Sequence, residues 1–167
     1  MMEAVVHSIN VNPSGGVPKH PVPLTRLTVS GVEGDRQNDL KHHGGPSRAV
    51  SLFSSELIEA LQEEGHPIQP GSTGENLTLR GVTWQDMAPG VCLRIGTAHL
   101  EITAPAPPCR VIRASFKAGS FTRISERTHS GWSRWYAKVL VEGTVTQGDQ
   151  VHLQPAPIEG QQGPNHP

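Results

Sequence analysis

The sequence predicts a mainly β protein, a closed or nearly closed β-barrel carrying a few short helices. Three observations lead there. Seven or more short apolar-alternating segments recur along the 167 residues, turn residues separate them, and only one segment has a clear helical period. The 18 glycines and 15 prolines favour turns and short elements over long helices. A chain of this length still suffices to bury one core, so residues 1–153 read as a single domain and 154–167, rich in Pro, Gln and Gly, as a flexible tail.

The first strand is read in Ala4–Val11, ended by Asn12-Pro13-Ser14-Gly15-Gly16. Pro18, Pro21 and Pro23 make the next stretch a loop or edge segment, and Leu24–Val29 alternates as a second strand. Residues 31–39 are too polar and Gly-punctuated for a core element. Ala49–Phe53 reads as a buried strand. Ser54 or Ser55 can cap a helix over Glu56–Glu64, whose Leu57, Ile58, Ala60 and Leu61 share one face and which Gly65 ends. Glu75–Leu79 re-enters a strand. Val91–Ile95 and Ala98–Thr103 flank Gly96-Thr97 as a tight hairpin. Pro105, Pro107 and Pro108 are expected to stop that strand, since each fixes φ and lacks an N–H. One or two short helices are expected in 111–127, then strands over Trp135–Val141 and Val151–Leu153, with turns at Gly143 and Gln147–Asp149.

A net charge of −1 gives no electrostatic footprint for nucleic acid. Two cysteines make no disulfide framework, which points to a reducing cytoplasm. No apolar run approaches membrane-spanning length and no basic leader precedes one, so no membrane partner is expected.

The chemistry concentrates around Cys109, set directly behind the proline-dense turn with Arg110 and Arg113 beside it. Nearby cations favour a thiolate, the form of cysteine that is both nucleophile and metal ligand; a free cysteine is more often a small buried hydrophobe. Three polar loops can converge on it: 31–39, 42–48 and 71–76. Gly44 and Gly45 permit positive φ and a backbone nest for an anion, with Lys41 and Arg48 close by; a plain turn is the alternative. Adjacent His42 and His43 face opposite ways if extended, and no zinc-type spacing is present. A hydrolase triad of Cys109, His43 and Asp35 is conceivable but has no local signature. Cys92, between Val91 and Leu93, reads as structural.

Together these pieces resemble the MOSC domain, found at the C-terminus of molybdenum-cofactor sulfurases and as small free-standing bacterial proteins. The matching segments are Gly31, Gly34, Asp35 and Gln37; His43-Gly44-Gly45 before Ala49-Val50; Gly74-Glu75-Asn76-Leu77; Pro108-Cys109; and Gly143 with Gly148-Asp149. The resemblance implies a β-rich barrel binding the molybdenum cofactor, a phosphorylated pterin (molybdopterin) that holds the metal through a dithiolene. It implies Cys109 as molybdenum ligand or as carrier of persulfide sulfur. It places Gly44, Gly45 and Arg48 at the pterin phosphate, and Asp35, Gln37, Glu75 and Asn76, with His43 and Arg110, among the cofactor-binding residues. Some relatives reduce N-hydroxylated compounds. Three functions are therefore carried forward: a molybdenum-dependent reductase of a small N-hydroxylated substrate, a persulfide sulfur carrier, and a cofactor-binding module without turnover. Many relatives read Pro-Arg-x-Pro-Cys where this chain has Pro105-Ala106-Pro107-Pro108-Cys109, and Arg110 or Arg113 is the expected substitute for the missing arginine. No pyridoxal-phosphate desulfurase domain is read in the chain, so either activity is expected to need an external electron or sulfur donor.

Overall fold

A computed structural model describes residues 3–36 and 45–157. Eleven strands are described: β1 (Val5–Val11), β2 (His20–Val22), β3 (Leu24–Thr28), β4 (Gly31–Val32), β5 (Val50–Ser54), β6 (Leu77–Arg80), β7 (Cys92–Ile95), β8 (Ala98–Ala106), β9 (Arg134–Val141), β10 (Gly143–Thr146) and β11 (Val151–Gln154). One α-helix, α1 (Ser55–Glu63), stands among short 3₁₀ turns at Pro46–Arg48, Trp84–Asp86, Arg110–Ser115, Lys117–Gly119 and Phe121–Ile124. The protein is mainly β, as the alternating segments require.

The strands form an eight-stranded sheet in the order β11-β7-β8-β9-β5-β6-β1-β2 and a three-stranded sheet in the order β10-β3-β4. Among the described residues neither sheet closes on itself, so the strand pairings do not by themselves make a closed barrel. Contacts between strand ends do draw them together. Val6 N–H donates to Asp149 O at 2.9 Å, Gly148 N–H to Val6 O at 2.9 Å, and Thr97 N–H to Thr144 O at 3.2 Å. With Val151 N–H donating to Ala4 O at 2.8 Å, the first two make a short antiparallel bridge at Val5 and Gln150 between β1 and the start of β11, while β2, short and Pro-containing, ends the larger sheet as an edge strand should.

Most pairings are antiparallel, but β5 and β6 run parallel, with α1 as the crossover between them. Ser54 caps α1, its Oγ accepting from Leu57 N–H at 3.1 Å, and Ile58 and Leu61 face the core. That core joins Ile9, Leu52, Phe53, Leu77, Leu79, Leu93, Leu100 and Ile102, all fully buried.

The longest strand departs most from expectation. β8 does not stop before the prolines but continues to Ala106, with Pro105 opposite Trp135 of β9. Bonding on the β7 side of β8 ends at Ile102, which exchanges bonds with Gly90 and Val91, so beyond it β8 has one ladder neighbour among the described residues, and an edge position tolerates a residue without N–H. A register shift between Ile102 and Ala104 re-aims the strand end that leads to Cys109.

Candidate functional site

The site is assembled from the inside outward by a buried polar network. Asp35, at the end of the loop after β4, accepts Asn12 N–H at 2.8 Å, Lys19 Nζ at 2.6 Å and Asn76 Nδ2 at 2.9 Å. The side chains of Lys19 and Asp35 are 6% and 3% exposed, an ion pair taken out of water. Asn76 continues inward: Ser51 N–H donates to its Oδ1 at 3.1 Å, and its Nδ2 also reaches Asn10 O at 3.3 Å. The loop after β4 is thus tied to β1, β5 and the approach to β6.

Glu75 is fully buried and holds the 71–76 loop from within. Gly71 N–H and Thr78 Oγ1–H donate to Oε2 at 3.0 and 3.1 Å, and Thr73 Oγ1–H donates to Oε1 at 2.8 Å. Burial pushes its carboxyl above the usual value, while the backbone N–H groups of Gly71 and of Glu75 itself, the Thr73 hydroxyl and the charge of Arg134 pull it down. Gly71 has φ +84°, and a Cβ there would lie 2.5 Å from Lys19 O, so the loop passes where a side chain has no room.

Arg134, at the start of β9, locks this loop to the cysteine turn. Its Nη1 donates to Thr73 O at 2.6 Å and its Nη2 to Pro107 O at 3.3 Å. The residue is 6% exposed, and its buried Nε has no hydrogen-bond partner among the described residues. Burial lowers its pKa, while the charges of Tyr136, Glu75 and Cys109 act in the opposite direction; a guanidinium stays protonated all the same. A further bond, Ser115 Oγ to Ser72 Oγ at 2.9 Å, fastens the 3₁₀ turn after Cys109 to the same loop.

Cys109 sits at the head of that turn, half-buried, with Ile112 N–H donating to its carbonyl at 3.1 Å. Arg110 and Arg113 are both exposed. On the neighbouring side, Thr103 Oγ1 donates to Ser47 O at 2.6 Å and the Arg48 guanidinium lies 5.5 Å from the Tyr136 ring centroid. Gly45, with φ +79° and no atom within 4 Å of a notional Cβ, leaves open space around its backbone.

Of the residues singled out from sequence, Asp35, Glu75 and Asn76 are joined by buried hydrogen bonds to other parts of the protein, whereas Cys109, Gly45 and Arg48 lie in accessible or half-accessible segments. Gln37, His43 and Gly44 lie outside the described residues, as do Lys41 and His42 of the same loop. Sequence reasoning missed Lys19 and Arg134. A lysine in a proline-rich loop gives no signal. A lone arginine opening the apolar run Trp135–Val141 was such a signal, had the strand been started one residue earlier.

Cys92 stands on another surface. It opens onto a groove of about 330 Å³ on the outward side of β11, β7 and β8, lined also by Arg94, His99, Leu140 and His152. Burial, then the Glu101 carboxylate, raises its thiol pKa, with Lys138 opposing. Among the described residues no three His, Cys, Asp or Glu side chains group as a metal-holding set.

A family model described as the MOSC domain matches residues 39–152. Among curated proteins, YflK of Bacillus subtilis is 31% identical over 83% of this chain and 62% of its own length. YiiM of Escherichia coli is 29% identical over 76% of this chain and 58% of its own. The chain thus spans about three fifths of the length of these curated relatives. Among solved structures, that of YiiM from Geobacillus stearothermophilus superposes with a TM-score of 0.69 at 25% identity, covering 90% of this chain and 75% of that one.

Proposed function

The chain belongs to the MOSC-domain family, and on that premise we propose that it binds the molybdenum cofactor at Cys109 and reduces small N-hydroxylated compounds. The observation that carries this reading is the half-buried Cys109 thiol two positions after Pro107, whose carbonyl is held by a buried guanidinium with no partner for its Nε among the described residues. A buried guanidinium with an orphaned donor, on the approach to a soft sulfur, fits a group that is both anionic and thiophilic. Cys109 would bind the metal, and Gly45 with Arg48 would hold the pterin phosphate through backbone N–H and charge. Once bound, the cofactor supplies two-electron chemistry that, with two protons, converts an N-hydroxyl to an amine and water, the electrons coming from an external donor.

The residues of the chain have three tasks. Cys109 provides the thiolate. Asp35, Asn76 and Glu75 fix the 71–76 loop through the bonds described above, so that Thr73 O meets Arg134 at a constant distance. Arg134 in turn holds Pro107 O and therefore the angle at which the chain enters Cys109.

The test is metal and pterin analysis of protein purified from a host that makes the cofactor. Stoichiometric molybdenum and pterin in the wild type, lost in Cys109→Ser, is expected. Arg48→Ala should weaken retention by about one to two decades, as for a charged contact of roughly 1.5–3 kcal/mol, and Gly45→Val should do the same by forcing its backbone out of a glycine conformation. A metal-free wild type carrying a persulfide on Cys109 would replace this reading by sulfur transfer, which the accessible thiol equally supports. Loaded protein that never turns over N-hydroxylated compounds would leave a binding module.

A further inference from the structure

Ala106 and Arg134 are direct partners across the β8–β9 ladder. In an antiparallel pair, residues directly opposite each other hold their Cβ atoms about 5 Å apart on the same face. A guanidinium rooted at position 134 therefore serves the same side of the sheet as one rooted at 106, where this chain has only a methyl group. The exposed Arg110 and Arg113, by contrast, lie on the solvent side of the turn.

The guanidinium of Arg134 has no direct ion-pair partner among the described residues, although the buried Glu75 carboxyl acts on it through space. Its two described acceptors are neutral carbonyls, Thr73 O and Pro107 O, and its Nε has none. Among the described residues no carboxylate forms an ion pair with it, and the oxygens of the neighbouring Glu75 already accept from Gly71, Thr73 and Thr78. A cation kept this far from water costs stability unless it is paired. The charges that favour the protonated form of Arg134 are those of Tyr136, Glu75 and Cys109, and of these Cys109 follows directly on the turn whose Pro107 O the guanidinium holds.

We propose that Arg134 is the anion-binding residue of the Cys109 site, holding the negative charge of the group bound there from the strand that faces Ala106. This rests on the cofactor-binding reading for the identity of the anion, but not for the charge itself.

The charge is measured on cofactor-free protein by alkylating Cys109 with anionic iodoacetate and neutral iodoacetamide at one pH, with labelling resolved by mass spectrometry. Both reagents attack the same thiolate, so the ratio of their rates reports the local potential rather than thiol acidity, and Cys92 serves as internal reference. Arg134→Met should lower the iodoacetate-to-iodoacetamide ratio at Cys109 about fivefold and leave it unchanged at Cys92. Arg134→Gly combined with Ala106→Arg should restore it. In protein from a cofactor-producing host, pterin retention should fall with Arg134→Met and return with the double variant. An unchanged ratio together with unchanged retention in Arg134→Met overturns the proposal while leaving the cofactor reading intact. A wild type without pterin, but with the ratio behaving as described, overturns the cofactor reading and leaves the charge assignment standing. If Arg134→Met does not fold, the double variant decides: a wild-type ratio supports the proposal, and a ratio fallen to that of Cys92 refutes it.

Discussion

Replacing Asp35 by alanine removes half of a buried ion pair and two further acceptor positions in one step. Lys19 Nζ, Asn12 N–H and Asn76 Nδ2 all lose the carboxylate, and the lysine side chain is only 6% exposed. Breaking one side of a buried pair costs about 3–5 kcal/mol, mostly from the charge left behind. Lys19→Met is a gentler change, because the carboxylate keeps its two amide donors and an apolar chain of similar length fills the space; about half that cost is expected. The double variant removes both charges of the pair, so it should be more stable than Asp35→Ala alone despite carrying one substitution more. Urea unfolding at neutral pH, followed by fluorescence of Trp84, Trp132 and Trp135, measures all three, provided the slopes agree. A domain of this kind is stable by roughly 5–15 kcal/mol, so Asp35→Ala should shift the midpoint by a large fraction of its value. A loss under about 1 kcal/mol for Asp35→Ala, or a double variant costing the sum of the two, would refute the view that this pair braces the site.

Three further outcomes are expected. Glu75 has a carboxyl raised in the folded state by burial, so the folded protein binds its proton more tightly than the unfolded chain. Stability should then decline as pH rises from the ordinary carboxylate range through the raised value, and Glu75→Gln should flatten that decline in a pH series of thermal melts. Cys109 should be alkylated near neutral pH before Cys92, whose thiol is held up by burial and Glu101, and Glu101→Gln should speed labelling of Cys92 alone. Gly71→Ala places a methyl group against Lys19 O in a left-handed backbone conformation and should cost roughly 1–3 kcal/mol by denaturant titration.

The strands were legible where burial imposes a period. Val50–Ser54, wholly buried, and the hairpin Cys92–Ile95 with Ala98–Ala106 announce themselves by β-branched and alternating residues. The helix was legible through its Ser54 cap and apolar face. Elements formed by context were not. β10, Gly143–Thr146, is four residues long and exists because β3 offers it a partner, so local pattern reads it as turn. Pro105 was read as a terminator because a proline lacks an N–H, but what decides is whether a second strand is there to need one, and none pairs at that position.

The site shows the same division in sharper form. Cys109, Gly45 and Arg48 could be found from sequence because their chemistry or backbone freedom is visible one residue at a time. The supporting role of Asp35, Glu75 and Asn76 could not, since the donors that engage them come from as far apart as Asn12, Lys19, Gly71 and Thr78. Arg134 lies between these cases. It is 25 residues from Cys109 in the chain (134 − 109 = 25), yet the β8–β9 register sets it opposite Ala106, three positions before the thiol (109 − 106 = 3). A search for the arginine partner of Cys109 along the sequence stops at Arg110 and Arg113, both turned to solvent. Only the ladder register brings Arg134 to the same stretch as the turn before Cys109, and what a thiolate or a bound anion feels is distance through the protein, not separation along the chain.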